Sequence, residues 1–342
     1  MAHPGSTAPQ LVVHEGEPPL GWRAAIEAEG GFFHTEAWSR HRCHAGEGEP
    51  LFCEWRGDGE VVARALALRR PARSSLAGRL VGRVLLDSTP ATTREGLDFV
   101  HGLSGWARRR RSVFEVVLGS FDAQVPWRPG PPPGAVRRVE FLVEQDDPDA
   151  LLDAVGGSVR RNVRKAEKAG VTVRRAGVDE LSAFAGLYME TLRSLEERKG
   201  VDAVSLAAER FAASLTPIVE GEHGRLYVAC REDGSAEAGW VFGVAAGRAC
   251  GLYSGAAASA RQTGSTSLAL TETMRGLVSE GISHINLGGT PAEASDPESP
   301  DHGLYNFKLR FGARVVERNS GSLMMRPRRA TAIGLARRVL RR

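Results

Sequence analysis

Leu226-Tyr227-Val228-Ala229-Cys230-Arg231, then Glu232-Asp233-Gly234-Ser235, then Gly239-Trp240-Val241-Phe242-Gly243-Val244-Ala245-Ala246 read as a strand, a turn and a second strand. Valine and aromatic side chains suit a pleated, half-buried surface, and Asp-Gly between two such runs marks a turn. A third strand is predicted over Ala249–Ser254, beyond a tight turn at Gly247. A helix follows over Ser265–Glu280, with Leu270, Met274, Leu277 and Val278 recurring on one face. Gly281 stands where a left-handed helix cap belongs, and Ser283–Leu287 reads as a closing strand.

The first half of the chain carries the same order. Short helices are predicted over Trp22–Ala28 and Thr35–Cys43. Leu51–Arg56 and Val61–Leu68 read as strands around a Gly57-Asp58-Gly59 turn, and Leu80–Leu86 as a third strand. A helix over Thr93–Arg109, with Leu97, Val100, Leu103 and Ala107 on one face, precedes a strand over Val113–Leu118. A strand–turn–strand–strand–helix–strand order that recurs after roughly half the chain points to a duplicated unit. Alternating strands and helices place both copies in the α/β (α+β) class with mixed central sheets.

A chain of 342 residues suits two domains of ordinary size. The expected division is a disordered lead over 1–10, domains over 11–145 and 146–327, and a basic tail over 328–342. Pro126–Gly134 (Pro-Trp-Arg-Pro-Gly-Pro-Pro-Pro-Gly) admits neither helix nor central strand and separates the halves. With 42% hydrophobic and 25% charged residues, both halves can build cores, which excludes wholesale disorder. The four cysteines, Cys43, Cys53, Cys230 and Cys250, show no metal-ligand spacing, so no metal is expected. Met1–Gln10 lacks a basic start followed by an apolar run, and no apolar stretch is long enough to span a bilayer. A cytoplasmic protein without an integral membrane segment is expected.

The net charge of +4 matters less than its placement, since arginine clusters at Arg108–Arg111, Arg160–Lys168 and Arg326–Arg342. In Arg160-Arg161-Asn162-Val163-Arg164-Lys165-Ala166-Glu167-Lys168-Ala169-Gly170, positions 161, 164, 165 and 168 share a helix face. That face either grips phosphates, whose oxygens match guanidinium forks, or is simply solvated. Arg261-Gln262-Thr263-Gly264-Ser265-Thr266 precedes the Ser265–Glu280 helix, so free N–H groups there suit an anion; a plain helix cap is the alternative. In Tyr305-Asn306-Phe307-Lys308-Leu309-Arg310-Phe311-Gly312-Ala313, Phe307 and Phe311 fall one turn apart and face a core, with Lys308 and Arg310 pointing elsewhere. Thr331–Arg342 can form a basic amphipathic helix or a frayed terminus.

Arg161–Val171, Leu187-Tyr188-Met189-Glu190-Thr191, Leu252-Tyr253-Ser254-Gly255-Ala256 and Phe307–Ala313 together resemble the Fem family of peptidyl transferases and related acetyltransferase domains. The likeness covers roughly Ser158 to Met325 in order and spacing, and in the first half only Phe33-His34-Thr35-Glu36-Ala37-Trp38. It implies tandem GNAT-like acyltransferase domains that carry an aminoacyl group from aminoacyl-tRNA to an amine, in a cell-wall precursor or a small molecule. By that resemblance Lys308 stabilises negative charge near the reacting acyl group or the tRNA phosphate, and Phe307 walls the site. Tyr253 lines the acceptor pocket, and Arg198 and Lys199 meet the acceptor's phosphates. Arg161, Arg164 and Lys165 belong to the substrate-binding set. The same superfamily binds the coenzyme A pyrophosphate at an Arg/Gln-x-x-Gly-x-Gly/Ala pattern, which Arg261, Gly264 and Ser265 match while Thr266 departs from it.

Three features differ from the family pattern. Only Glu196–Ala207 stands where many members insert a coiled-coil arm, Leu86-Asp87-Ser88-Thr89-Pro90 is the nearest approach to an Arg-Gly-Pro-Val-x-Asp stretch, and the Ala292–Asp301 loop is longer and more acidic. The chemistry implied is direct attack of a neutral amine on an ester or thioester carbonyl, with fixed donors for the oxyanion and no bound cofactor. No nucleophilic triad is visible, and no general base is assigned; His284 and His302 read as structural or surface residues. An acyl-CoA-dependent N-acyltransferase is the alternative. A non-catalytic protein held on RNA or a membrane surface by its basic tail is the third reading.

Overall fold

The computed structural model describes residues 9–70, 82–86, 96–110, 113–122, 136–200 and 206–325. The proline-rich separator, most of the lead, the stretch after Leu86 and the basic tail from Arg326 lie outside the described residues. The chain divides into two units. One takes in Met1–Ser39, Glu47–Arg137 and Arg318–Arg342, and the other Arg40–Gly46 and Arg138–Glu317.

In the first unit, strands β1 (Gln10–Glu15), β2 (Glu49–Gly57), β3 (Glu60–Arg70), β4 (Gly82–Leu86) and β5 (Val113–Asp122) run as neighbours in that order. Asp58 and Gly59 have φ of 51° and 88°, the paired left-handed residues that let a two-residue hairpin follow the twist of β2 and β3. β4 and β5 are parallel, as a helical crossover requires, and α3 (Gly96–Arg109) provides it. Leu103 and Ala107, expected on its inner face, are buried there with Phe99 and Trp106. The last strand, β12 (Arg314–Met324), pairs with β5 through Arg318–Met324. Helices α1 (Trp22–Glu29) and α2 (Glu36–His44) lie between β1 and β2 in sequence.

The second unit repeats the plan. Its sheet runs β6 (Val136–Glu144), β11 (His284–Pro291), β10 (Arg248–Ala256), β9 (Ala236–Ala245), β8 (Gly224–Cys230) and β7 (Thr172–Ala176). Every pair is antiparallel except β10 and β11, which are parallel and joined through α8 (Ala260–Thr263) and α9 (Ser265–Ser279). β8-β9-β10-α9-β11 thus repeats β2-β3-β4-α3-β5, each with one parallel pair around its crossover helix. The predicted strands and helix of this half fall within a few residues of those observed.

One face of this sheet is closed by α9, α5 (Gly157–Lys168) and α10 (His302–Leu309). Val159, Val163, Leu268, Leu270, Met274, Leu277 and Phe311 pack there with Phe141, Phe242 and Leu287. α6 (Leu181–Lys199) and α7 (Ala208–Val219) pack on each other, and α6 also lies against β9 and β10. α4 (Leu151–Ala154) is a single turn ahead of α5. Cys43, Cys53, Cys230 and Cys250 are free thiols.

Candidate active site

The second unit is opened by a failure of pairing. Parallel β10 and β11 share register only over Arg248–Cys250 and His284–Asn286, although both strands run on past it. Each strand also has an irregularity at the point of parting: β10 between Gly251 and Tyr253 against β9, β11 between Asn286 and Gly289 against β6. Such irregularities bend a strand and re-aim its side chains. The facing edges beyond Cys250 and Asn286 are therefore splayed, which makes a wedge bordered by backbone polar groups.

Lys308 reaches this wedge. The expectation that it points away from the core is corrected: it is only 6% exposed, while Arg310 is exposed. Its ammonium donates to the Gly289 carbonyl at 3.4 Å and lies 5.5 Å from the Phe141 ring centroid. Phe311, two residues past the end of α10, is also turned inward, at 0% exposure. Burial, against the opposing pull of the Cys250 and Glu140 sites, brings the ammonium down to about 8. Burial and the Glu140 carboxylate push the Cys250 thiol up to about 12. Asn286 fixes the frame, donating to Glu140 at 2.8 Å and accepting the Gly288 N–H at 2.8 Å. Phe307 is half-buried and meets Phe311 edge-on at 5.0 Å. His302 accepts from Asn306 at 2.6 Å through Nε2 and donates to the Ala294 carbonyl at 3.1 Å, pinning the acidic loop to α10.

Tyr253 stands three residues past Cys250 on β10, with Tyr188, Phe211 and His41 edge-on around its ring at 5.5, 5.1 and 5.5 Å. Its hydroxyl is 2.7 Å from His41 Nε2. His41 belongs to the 40–46 segment that groups with this unit, and 212 residues separate the partners, so no local pattern could reveal the pair.

At the start of α9 the loop already holds an anion of its own. Glu237, 2% exposed, accepts hydroxyls from Thr263 at 2.6 Å, Ser259 at 2.7 Å and Ser265 at 2.8 Å, and the Arg231 Nε at 2.6 Å. Burial would raise this carboxyl, but hydrogen bonds from Thr263, Ser259, Ser265 and Arg231 outweigh it and hold it at about 2. Gly264 lies under α5, where an added Cβ would come within 2.4 Å of the Asn162 carbonyl oxygen. Of the residues read as a pyrophosphate cradle, Ser265 is thus engaged by Glu237, Gly264 is covered, and Arg261 alone is exposed. Sequence reading missed Glu237 because it sits at the start of β9, 22 to 28 residues before the loop hydroxyls it binds.

The basic motif forms α5 as expected. Val159, Val163 and Ala166 face inward, and Arg161, Arg164, Lys165 and Lys168 are exposed. Among the described residues no ion pair holds those four. Arg160 differs, turning back to the carbonyls of Leu152, Asp153 and Val155 at 2.7–3.2 Å. Arg198 donates to the Ser194 carbonyl of its own helix at 3.0 Å, and Lys199 is that helix's last residue.

A parallel pair that parts in mid-sheet, with a crossover helix at its side, is the arrangement of the GNAT acyltransferase fold. Residues 156–308 match the family model described as an acetyltransferase (GNAT) domain. The fold of the chain is that of the Fem-type GNAT proteins: it superposes on the crystal structure of FemX with a TM-score of 0.66, over 87% of this chain and 94% of that one, at 15% identity. The structure of L-PGS from Bacillus licheniformis follows with a TM-score of 0.55, over 91% and 93%, at 15% identity. A conserved protein of unknown function from Bacteroides thetaiotaomicron VPI-5482 gives 0.56, over 91% and 100%, at 12% identity. At such identities the likeness is one of fold. Among curated proteins no sequence matches the chain.

Proposed function

We propose that this acyltransferase moves an aminoacyl group from aminoacyl-tRNA to an amine acceptor through the wedge beside Lys308. The observation that carries the choice of donor is the occupied helix start. An acyl-CoA donor would lay its pyrophosphate where the Ser259, Thr263 and Ser265 hydroxyls instead bind Glu237, and a second anion there would meet a buried carboxylate. The exposed cations of α5 supply a surface for a polyanionic donor. A neutral amine attacks the ester carbonyl, the developing oxyanion is met by the Lys308 ammonium and backbone N–H groups of the parted strands, and the ribose oxygen leaves. Holding two large substrates in register contributes much of the acceleration.

The test is transfer of radiolabel from total tRNA charged with labelled amino acids to amines in a small-molecule extract. Label should reach an amide product and be lost after RNase treatment; transfer that survives RNase overturns the donor. Acyl-CoA remains the second reading because the GNAT domain model spans residues 156–308. Acetyl-CoA and longer acyl-CoAs should leave the melting temperature unchanged, and a clear rise would favour that alternative.

A further inference from the structure

We propose that Tyr253 and His41 form the proton relay of the transfer, with Tyr253 as a catalytic residue and His41 as the group that acts through it. The proposal rests on the acyl-transfer reading above and supplies the base which that reading lacks.

Hydrogen-bond geometry fixes the direction of the relay. His41 Nδ1 lies 2.8 Å from the Ser214 carbonyl oxygen, and a carbonyl only accepts, so Nδ1 carries the proton. A neutral imidazole holds one N–H, which leaves Nε2 as a bare acceptor, 2.7 Å from the Tyr253 hydroxyl. Tyr253 therefore donates inward to His41. His41 is 1% exposed, whereas Tyr253 is partly exposed, so of the two Tyr253 is the one open to a substrate. The three rings edge-on to Tyr253 hold its oxygen in place. The β10 irregularity immediately before it sets Tyr253 on the stretch of strand that has left β11.

The step balances without an outside reactant. The amine lone pair forms the C–N bond while the carbonyl π pair moves to oxygen. The amine proton passes to the Tyr253 oxygen as the Tyr253 proton passes to His41 Nε2. On collapse the C–O bond breaks, the leaving oxygen takes a proton from Tyr253, and Tyr253 recovers one from His41. The amide and the free hydroxyl leave with the enzyme unchanged.

Three variants and one spectrum test it. Tyr253→Phe removes a single oxygen and should lower kcat on the order of 100-fold with the acceptor KM unchanged. His41→Gln offers an oxygen to accept the phenol hydrogen bond but cannot take a proton, and should lose as much. The double variant should be no slower than either single one, because the two act as a unit. A His41→Gln enzyme near the wild-type rate, or a Tyr253→Phe enzyme altered only in KM, overturns the relay. Should His41→Gln fail to fold, Tyr253→Phe carries the kinetic test. Nitrogen NMR of histidine-labelled protein reads the relay without any substrate: the His41 ring, assigned by the resonances lost in His41→Gln, should carry its proton on Nδ1, with an Nε2 resonance that moves in Tyr253→Phe. Protonation of the His41 ring on Nε2 overturns the relay even in an active enzyme, whereas failure of the tRNA donor leaves this signature intact.

Discussion

The Glu237 carboxylate accepts the Ser265 hydroxyl at 2.8 Å, at the first residue of helix α9. An acid at the start of β9 and a helix start 28 residues later thus make one buried knot, completed by Ser259, Thr263 and Arg231. Removing the carboxylate takes away the acceptor that the Ser259, Thr263 and Ser265 hydroxyls and the Arg231 Nε share.

Glu237→Ala should therefore destabilise the protein by about 3 kcal/mol in urea denaturation, and Glu237→Gln by less, since the amide oxygen still accepts. The pH dependence has a definite sign. The carboxyl lies at about 2 when folded against an ordinary 4.5, so its stabilisation is complete above 4.5 and is lost as pH falls toward 2. Urea midpoints across that range should fall more steeply for the native chain than for Glu237→Gln.

Lys308→Ala should slow transfer on the order of 100- to 1000-fold, as loss of a charge-stabilising donor does; unchanged biological activity would favour the non-catalytic reading. With the ammonium at about 8, the rate should fall as pH rises through that value. Lys308→Arg, which keeps its charge, should hold any remaining activity to higher pH. Stability moves the other way. Between about 8 and the ordinary 10.5 the unfolded chain binds the extra proton, so Lys308's contribution to stability improves with rising pH in that window.

Replacing Arg161, Arg164 and Lys165 together by alanine should weaken tRNA binding without lowering the melting temperature, since all three are exposed. The log–log dependence of affinity on salt should flatten by about 0.7–0.9 for each phosphate that is no longer neutralised. An unchanged salt slope would place the tRNA elsewhere.

Gly264→Ala and Gly281→Ala separate two costs of a side chain. Both glycines have left-handed backbones, with φ of 85° and 82°. At Gly281 an added Cβ meets nothing within 4 Å, and the loss should be about 1 kcal/mol. At Gly264 it would also meet the Asn162 carbonyl at 2.4 Å, so α5 must shift and the loss should exceed about 2 kcal/mol. Thermal denaturation of the two variants reads the difference.

The amino-acid sequence by itself determined the order of elements and the faces of its helices. Val228, Trp240, Val241 and Phe242 could only be strand residues once Asp233-Gly234 broke them, and Leu270, Met274 and Leu277 could only line one side of a helix. Local patterns of that kind follow from backbone geometry and the exclusion of apolar side chains from water. They also placed Lys308 on the right helix, but not which way it points, because side-chain direction there depends on β10 and β11, two strands that part well before Lys308 in the chain. His41 and Tyr253, or Glu237 and Ser265, become partners only when the sheet folds. Hydrogen bonds act over about 3 Å whatever the distance along the chain, so what the loop before α9 binds, and where a proton goes, were decided by the tertiary structure alone.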